Sequence, residues 1–263
     1  MNRTAGRNIF VIDLEKVLGS SGPAAFAAKS KSAHMSGIWI RVGRGVSPDP
    51  NLALKYLPGV RQELANVGVG LWGWHVPFCA NPTAATTEAA KVLKWVDDAG
   101  LAGIVIDAER TNENPRFQGG AEEAEIYTGA LVLGLKQRGC GIAFSSHDQP
   151  QLHTDLPFKT FLDHIQDICP QVYYRSSDPA ARLAKSVHDY KNLVLPAEFA
   201  LRYKPTGNIT MKDDIPFPDV GTCLEATKTF ITLVKQANYQ SYSFWCWDTA
   251  PEQIWRLFNT TPA

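Results

Sequence analysis

The chain has 263 residues, and its 44% hydrophobic and 20% charged composition supports a full hydrophobic core and excludes a disordered chain. The formal net charge is zero, whereas nucleic-acid-binding proteins usually carry a basic surplus, so no nucleic-acid partner is expected. No apolar run of about 18 residues occurs, so no membrane partner is expected either.

Short apolar runs typical of strands alternate along the chain with longer amphipathic runs typical of helices. Strands are predicted at residues 8–14, 36–42, 69–75, 103–108, 141–146, 170–174, 193–199 and 242–247. Helices are predicted from near Pro23, at 56–67, from an N-cap at Thr83 to Gly100, at 122–138, 158–166, 179–190 and 223–237, and from Pro251 onward.

Strict alternation of strands and helices implies parallel strand pairing through helical crossovers. Eight such units in a chain of this length favour a closed (β/α)8 barrel, formed as a single domain over residues 1–263 and irregular in its last units. An open doubly wound sheet is the alternative. It would require a glycine-rich turn after the first strand, and Leu14-Glu-Lys-Val-Leu18 is not one.

The segment 101–109 ends in two carboxylates, Asp107 and Glu109, spaced two residues apart. Because strand side chains alternate faces, both lie on the face of Val105, while the intervening residues form an apolar face. The two carboxylates would lie roughly 6–7 Å apart along the strand and repel each other. They either form ion pairs with nearby arginine or lysine, or act as a general acid beside an electrostatic helper.

Polar side chains concentrate at the carboxyl ends of the predicted strands, where barrels of this kind carry their active sites. These residues are Asp13, Glu15, Arg41, His75, Asp107, Glu109, Ser145, Ser146, His147, Tyr173, Tyr174, Arg175, Glu198, Trp247 and Asp248. Aromatic residues in or just beyond the strands would provide platforms for sugar rings. No phosphate-binding loop and no histidine cluster of metal-binding spacing occur, so no metal and no cofactor are expected.

Several of these strand-end motifs occur together in one known family, the family-25 glycoside hydrolases, which the chain resembles over its whole length. Members of that family are lysozymes that act as N-acetylmuramidases. The motifs that carry the resemblance are Val11-Ile12-Asp13, Ile40-Arg41 with Gly45 four positions on, Gly73-Trp74-His75, Ile106-Asp107-Ala108-Glu109, and the tryptophan-rich last strand. The chain departs from the family at Glu15, at Gln171-Val-Tyr-Tyr174 and in the loop after the seventh predicted strand.

The resemblance implies cleavage of a β-1,4 bond next to an N-acetylated amino sugar, in peptidoglycan or a related carbohydrate. Glu109 would be the general acid, kept protonated by Asp107. Asp107 would also orient the acetamido group of the substrate, and Asp13 would activate water or stabilise the oxocarbenium ion. The residues expected to bind the sugar are Arg41, Trp74, His75, Tyr173, Glu198, Trp247 and Asp248.

Two other functions are open: a catalytically inactive carbohydrate-binding barrel, and an unrelated barrel enzyme such as an aldolase or isomerase. The lack of a well-placed lysine on a strand weighs against the aldolase.

The cysteines and the N-terminus bear on where the chain is made. Five widely spaced cysteines without a Cys-x-x-Cys pair are expected to be free buried thiols. The N-terminus has no signal peptide, so we expect synthesis in the cytoplasm. A role in cell-wall degradation or antibacterial attack would then need delivery by a phage or a secretion system.

Overall fold

The computed structural model describes residues 3–110, 116–174, 178–212 and 217–263. In these segments eight parallel strands close into a barrel, because β1 pairs with both β2 and β9. The predicted (β/α)8 barrel is therefore confirmed. The strands are β1 Gly6–Val11, β2 Met35–Arg44, β3 Ser47–Pro48, β4 Gly70–Val76, β5 Gly103–Asp107, β6 Gly141–His147, β7 Asp167–Val172, β8 Thr206–Asn208 and β9 Ser241–Trp245; β3 is a short antiparallel addition to the end of β2.

Helices connect the strands and cover the outside of the barrel. The α-helices are α1 Leu14–Leu18, α2 Gly22–Ser32, α3 Leu57–Asn66, α4 Pro82–Ala99, α5 Ala121–Gln137, α6 Phe158–His164, α7 Pro179–Lys191, α8 Pro196–Arg202, α9 Val220–Gln236 and α10 Glu252–Thr260. Short 3-10 helices span Pro50–Ala53, Pro150–Leu152 and Trp247–Thr249. No helix in the described part of the chain combines the length and apolar character needed to cross a membrane.

The boundaries of α4 show how local sequence sets a helix. Asn81 caps its start, accepting a hydrogen bond from the Ala84 N–H at 2.9 Å, and Pro82 occupies the first turn, where its missing N–H costs nothing. The predicted cap at Thr83 is therefore wrong by two positions. The helix ends at Gly100, as the sequence predicted, and this glycine adopts the left-handed conformation at φ 61°.

The unit between β7 and β9 departs from the predicted pattern. Residues 193–199 were predicted as a strand, but Pro196 opens the helix α8 instead, because proline pre-sets helical φ and cannot donate to a sheet. The seventh barrel strand is β8, of three residues, Thr206–Asn208. Its Thr-Gly-Asn sequence is buried but contains no apolar run, so hydrophobic patterning does not reveal it. The predicted irregularity of the last units is confirmed.

Two apolar layers fill the molecule. Alternate strand residues point outward against the helices and form the larger core. The others point into the barrel and pack as an aromatic cluster, in which the Phe10 and Trp39 rings meet edge to face at 4.9 Å. The interior of the barrel is thus a packed core. The buried inner residues are Phe10, Trp39, Trp72, Trp74, Val76, Val105, Ala143, Cys169 and Cys246.

The amino-terminal end of the barrel is closed by a buried ion cluster around Asp167, the first residue of β7. Its carboxylate accepts from Arg3 Nε at 2.8 Å, lies 2.8 Å from Lys204 Nζ, and accepts from the Thr4 N–H at 2.7 Å. Polar groups at this end of such barrels serve stability, so the cluster is structural. All five cysteines are buried, and none forms a disulfide within the described residues.

Candidate active site

The acidic pair ends β5 at the carboxyl end of the barrel. Val105 belongs to the inner cluster, and Asp107 and Glu109 continue on its side, while Ile104 and Ile106 pack outward. The predicted alternation is confirmed. Both carboxylates are buried: Asp107 is 5% exposed and Glu109 9% exposed.

Gln171, on β7, holds the two carboxylates together. Its side-chain Nε2 donates to Asp107 Oδ1 at 2.8 Å and to Glu109 Oε1 at 2.7 Å. Two carboxylate oxygens bound to one amide nitrogen cannot both remain charged without strong repulsion, so the arrangement favours a shared proton.

Burial raises the pKa of Asp107 well above its ordinary value, and the neighbouring Glu109 charge and a hydrogen bond between the two carboxyls raise it further. The positive charge of Arg116 and the bond from Gln171 oppose this rise only partly. This pair of carboxyls therefore holds a proton more tightly than an isolated aspartate does. The sequence-based hypothesis assigned the proton to Glu109, and the role of Glu109 as the general acid stays a prediction.

Glu109 has a charged partner of its own. The Arg116 guanidinium forms an ion pair with Glu109 Oε2, and the side chain of Arg116 is one-third exposed while that of Glu109 is nearly buried. The ion-pair alternative considered for these carboxylates is thus realised for Glu109. Asp107, in contrast, accepts a hydrogen bond from Gln171 and shares a hydrogen bond with Glu109.

Tyr173 follows β7 and is brought to the same place as the acidic pair. Its ring is half-buried, and burial together with the charges of Asp107 and Glu109 raises the pKa of the phenol well above its ordinary value. The hydroxyl therefore remains protonated and can donate a hydrogen bond at neutral pH. The sugar-binding role of Tyr173 stays a prediction.

Arg41 and Trp74 form a stacked pair beneath the mouth. The Arg41 guanidinium lies 5.6 Å from the Trp74 ring centroid and forms an ion pair with Asp49. Trp74 is only 2% exposed, and its indole N–H donates to the Val11 carbonyl at 3.1 Å. Trp74 is thus fixed in the barrel floor, whereas Arg41 is half-buried and reaches the mouth.

The tryptophan at the mouth is Trp245 rather than Trp247. Trp245 is half-buried beside the inner cluster, with its ring 5.7 Å from Trp74 and 5.6 Å from Phe10. Trp247 begins a 3-10 helix and turns outward, where it is 6% exposed and packs on Phe26 at 4.5 Å. The structure therefore does not bring Trp247 to the acidic pair.

Asp13 and Asp248 meet at the ends of β1 and β9. The Asp248 carboxylate accepts from the N–H groups of Ile12 and Asp13 at 2.9 and 2.8 Å, and burial raises its pKa. Asp13 is exposed and caps α1 by accepting from the Lys16 N–H at 2.9 Å. Both lie at the carboxyl end of the barrel, but no hydrogen bond within the described segments joins them to the acidic pair. Their catalytic and binding roles stay predictions.

His75 does not converge on the site, so that prediction is wrong. Its neighbours Trp74 and Val76 point into the barrel, and alternation sends His75 outward between α4 and α5. One ring nitrogen lies 2.6 Å from the Tyr127 hydroxyl and the other 2.8 Å from the Gly45 carbonyl. Burial lowers the pKa of His75 to about 4, so the imidazole is neutral and structural.

Glu198 is also misplaced by the sequence-based prediction. It lies on α8 and pairs with Arg202 at 3.2 Å. The Arg202 guanidinium in turn donates to the carbonyls of Leu162 and Ile165, just before β7, which is the amino-terminal side of the barrel. Glu198 is therefore remote from the acidic pair. Arg175, another predicted strand-end residue, lies outside the described residues.

The sequence-based prediction assigns no role to several residues of this site, among them Gln171, Arg116, His147 and Trp245. Gln171 precedes Tyr173 by two positions, so strand alternation could have placed both on one face. Arg116 comes from a polar loop without any periodic signal. His147, at the end of a predicted strand, stacks on His153 with ring centroids 3.5 Å apart. Burial lowers the pKa of His147, and the nearby charge of Glu109 opposes this.

Solved structures share this fold. The catalytic domain of a hyperthermophilic chitinase from Pyrococcus furiosus matches with a TM-score of 0.69 and 13% identity, over 97% of this chain and 94% of that one. The Bacillus cereus spore cortex-lytic enzyme SleL matches with 0.63 and 10%, over 100% and 76%. The Ostrinia furnacalis group IV chitinase in complex with allosamidin matches with 0.71 and 7%, over 97% and 98%.

At these identities the likeness establishes the barrel fold and leaves the chemistry to be argued from the site. No known family model matches the sequence, and no curated protein does. The solved structures above are chitinases and a cortex-lytic enzyme rather than lysozymes of family 25.

Proposed function

We propose that this protein is a glycoside hydrolase acting on β-1,4-linked glycans that contain N-acetylated amino sugars. The observation that carries the proposal is the buried pair Asp107 and Glu109 at the carboxyl end of the barrel, where both carboxylates accept a hydrogen bond from Gln171. A pair of carboxyl groups in which one retains a proton supplies the acid that glycosidic cleavage requires. The fold shared with chitinases and a cortex-lytic enzyme supports the same substrate class.

In the proposed reaction Glu109 donates a proton to the glycosidic oxygen as the bond to the anomeric carbon breaks. The carbonyl oxygen of the substrate's own acetamido group attacks that carbon and forms a cyclic oxazolinium ion. Asp107, whose proton has moved to Glu109 through their hydrogen bond, then faces the acetamido N–H as an anion and stabilises the positive charge. Water opens the ring, returns a proton to Glu109, and leaves a product of retained configuration.

The surrounding side chains fit a sugar in this position. Tyr173 offers a protonated hydroxyl beside the acidic pair, and Trp245 offers a half-buried aromatic face at the mouth. Within this class we favour peptidoglycan and muramidase activity, as the resemblance to family 25 implied. Asp13 and Asp248 are proposed to contact the sugar from the ends of β1 and β9.

A second candidate is a catalytically inactive carbohydrate-binding barrel. The observation that favours it is the Arg116 ion pair, because an arginine stabilises the anionic form of the carboxyl that must carry the proton. For the enzyme to act, the substrate must displace Arg116 from Glu109.

The test compares the wild-type protein with Glu109→Gln and Asp107→Asn on purified peptidoglycan and on chitin oligomers, counting new reducing ends. Each substitution should lower turnover by about 10²–10⁴-fold. Glu225→Gln, on the outer helix α9 with 71% of its side chain exposed, is the matched control and should behave like the wild type. Equal cleavage by Glu109→Gln and wild type would refute the assignment, and binding without any cleavage would support the inactive barrel.

A further inference from the structure

A β-bulge near the end of β2 turns Arg44 toward the site. Arg41 pairs with Trp74 of β4, but the register then slips, so that Gly43 pairs with His75 and Arg44 with Val76. In a parallel pair, neighbouring residues point to the same side of the sheet. Arg41 and Arg44, although three positions apart, therefore share the inner side with Trp74 and Val76.

Gly43 makes this bulge possible. A Cβ at this position would lie 2.6 Å from the Trp95 ring of α4 and 2.6 Å from the Ser47 carbonyl. Only glycine fits between the outer helix and the returning chain. The bulge is thus specified by the sequence, and its effect is to place a second arginine of β2 at the barrel mouth.

Arg44 is consequently one of three guanidinium groups that lie near one another at the carboxyl end of the barrel. Arg41 is paired with Asp49, and Arg116 with Glu109. Arg44 is exposed, and in the described part of the chain its side chain has no hydrogen bond and no ion pair. Partial burial lowers the pKa of the Arg44 guanidinium, and the nearby positive charges of Arg41 and Arg116 lower it further. The negative charges of Asp49 and Asp107 raise it.

Asp49 pairs with Arg41 and Glu109 pairs with Arg116, so Arg44 is the one of these three arginines that has no paired carboxylate among the described residues. A neutral glycan such as chitin would leave Arg44 without a counter-charge. A guanidinium matches a carboxylate with two parallel hydrogen bonds, and this pairing adds both affinity and orientation.

We propose that Arg44 is a specificity-determining residue that binds a carboxylate carried by the glycan, so that acidic N-acetylated glycans are preferred over neutral ones. The inference rests on the proposed glycan-binding site and names its substrate class more closely. The carboxylate could belong to a lactyl ether, as on muramic acid, or to a uronic acid alternating with the amino sugar. The same group would draw Arg116 away from Glu109 and so release the acid for catalysis.

The experiment measures binding by calorimetry in the Asp107→Asn background, which mimics the protonated carboxyl and slows turnover. Four tetrasaccharides are compared: N-acetylglucosamine alternating with N-acetylmuramic acid, the same compound with its carboxyls reduced to alcohols, a hyaluronan tetrasaccharide, and chitotetraose. Arg44→Gln is tested against Arg256→Gln, a substitution of equal charge change on the exposed face of α10. Cleavage by otherwise wild-type protein is followed in parallel.

We expect one carboxylated ligand to bind about 10-fold more tightly than its neutral counterpart, and Arg44→Gln to remove this difference while Arg256→Gln keeps it. Comparison of the muramic acid and hyaluronan tetrasaccharides identifies which kind of carboxylate Arg44 binds. Equal binding of acidic and neutral ligands, or an equal loss of both in Arg44→Gln, would refute the inference even if glycans are cleaved. Carboxylate-selective binding without cleavage would uphold it and refute the proposed hydrolysis instead.

Discussion

Arg116 and Glu109 form an ion pair at the mouth of the barrel, on the carboxyl group that the proposed reaction needs as its acid. The pair lies beside a second carboxyl, Asp107, whose pKa burial raises. In the proposed enzyme the resting site is therefore inhibited, because the arginine stabilises the anionic form of the carboxyl that must carry the proton. Substrate binding must separate Arg116 from Glu109 before the proton can pass between the two carboxyls.

Replacing Arg116 tests this arrangement. In Arg116→Gln the positive charge that lowers the pKa of Asp107 is removed, so the pair of carboxyls keeps its proton to higher pH. We expect the alkaline limb of the pH–rate profile on chitotetraose to move upward, with several-fold higher activity above pH 7. The neutral substrate is chosen because it cannot itself compete for the arginine. An unchanged profile would show that the ion pair does not control the acid.

The pH dependence of stability tests the proton on Asp107. A carboxyl whose pKa is raised on folding contributes stability below its unfolded pKa, near 3.8, that is lost as pH rises through the folded pKa. Asp107→Asn keeps the group neutral at every pH, and its amide can donate to Glu109. We expect the variant to be more stable than the wild type at pH 8, by on the order of 1 kcal/mol, and the gain to shrink toward pH 4. Urea unfolding at both pH values measures this; a variant less stable at pH 8 would contradict it.

The sequence predicted those parts of the fold whose residues carry a clear hydrophobic period. Strands such as β5 read as apolar runs, and Asp107 and Glu109 were placed correctly because alternation with Val105 fixes their face. The β8 strand was missed because Thr206–Asn208 is polar, and its burial depends on tertiary contacts that no local pattern encodes. Pro196 had marked the true helix start within the wrongly predicted strand.

The prediction of site residues was wrong where a strand is buried on both faces, because its sequence then does not show which face points into the barrel. β4 is buried on both faces, so Trp74 and His75 give no amphipathic signal, and the aromatic residue rather than the histidine turned out to face the interior. Arg44 depends on a bulge, and Arg116 lies in a polar stretch of sequence for which no helix or strand is predicted. Neither feature has a periodic signature, although Gly43 marks the bulge in retrospect.

His75 should control stability in acid rather than activity. Burial lowers its pKa from 6.5 to about 4, so its contribution is full above pH 6.5 and is lost as pH falls toward about 4. The loss amounts to about 3 kcal/mol at the acid end, at 1.36 kcal/mol per unit of pKa difference. His75→Gln keeps polar contacts to Tyr127 and Gly45 without titrating, so denaturation curves between pH 4 and 7 should lose this slope. The KM for glycans should stay unchanged in His75→Gln. A raised KM would show that His75 takes part in glycan binding.

Substitution of the two tryptophans near the end of β9, Trp245 and Trp247, should have different effects on glycan binding and on stability. Trp247 is fully packed against Phe26 and Trp255, so Trp247→Ala should lower the free energy of unfolding by about 3–5 kcal/mol. Trp245 is half-buried at the mouth, so Trp245→Ala should cost less stability and weaken glycan binding about 10-fold. Thermal unfolding and calorimetric titration together check both. Weakened binding in the folded Trp247→Ala protein, with none in Trp245→Ala, would reverse the assignment.

The acetamido group of the substrate provides the sharpest test of the mechanism. If its carbonyl oxygen is the nucleophile, a de-N-acetylated glycan should bind but resist cleavage, because no other group stands ready to attack the anomeric carbon. Asp107→Asn should then add little further loss on that substrate, since the helper has nothing left to orient. On the acetylated glycan the first product should have retained configuration, which proton NMR of the early reaction reports. Comparable cleavage of both glycans would eliminate the neighbouring-group step. An inverted product would instead favour direct attack by water, with Asp13 at the end of β1 as the base, a role that requires carboxyls about 6.5–9.5 Å apart.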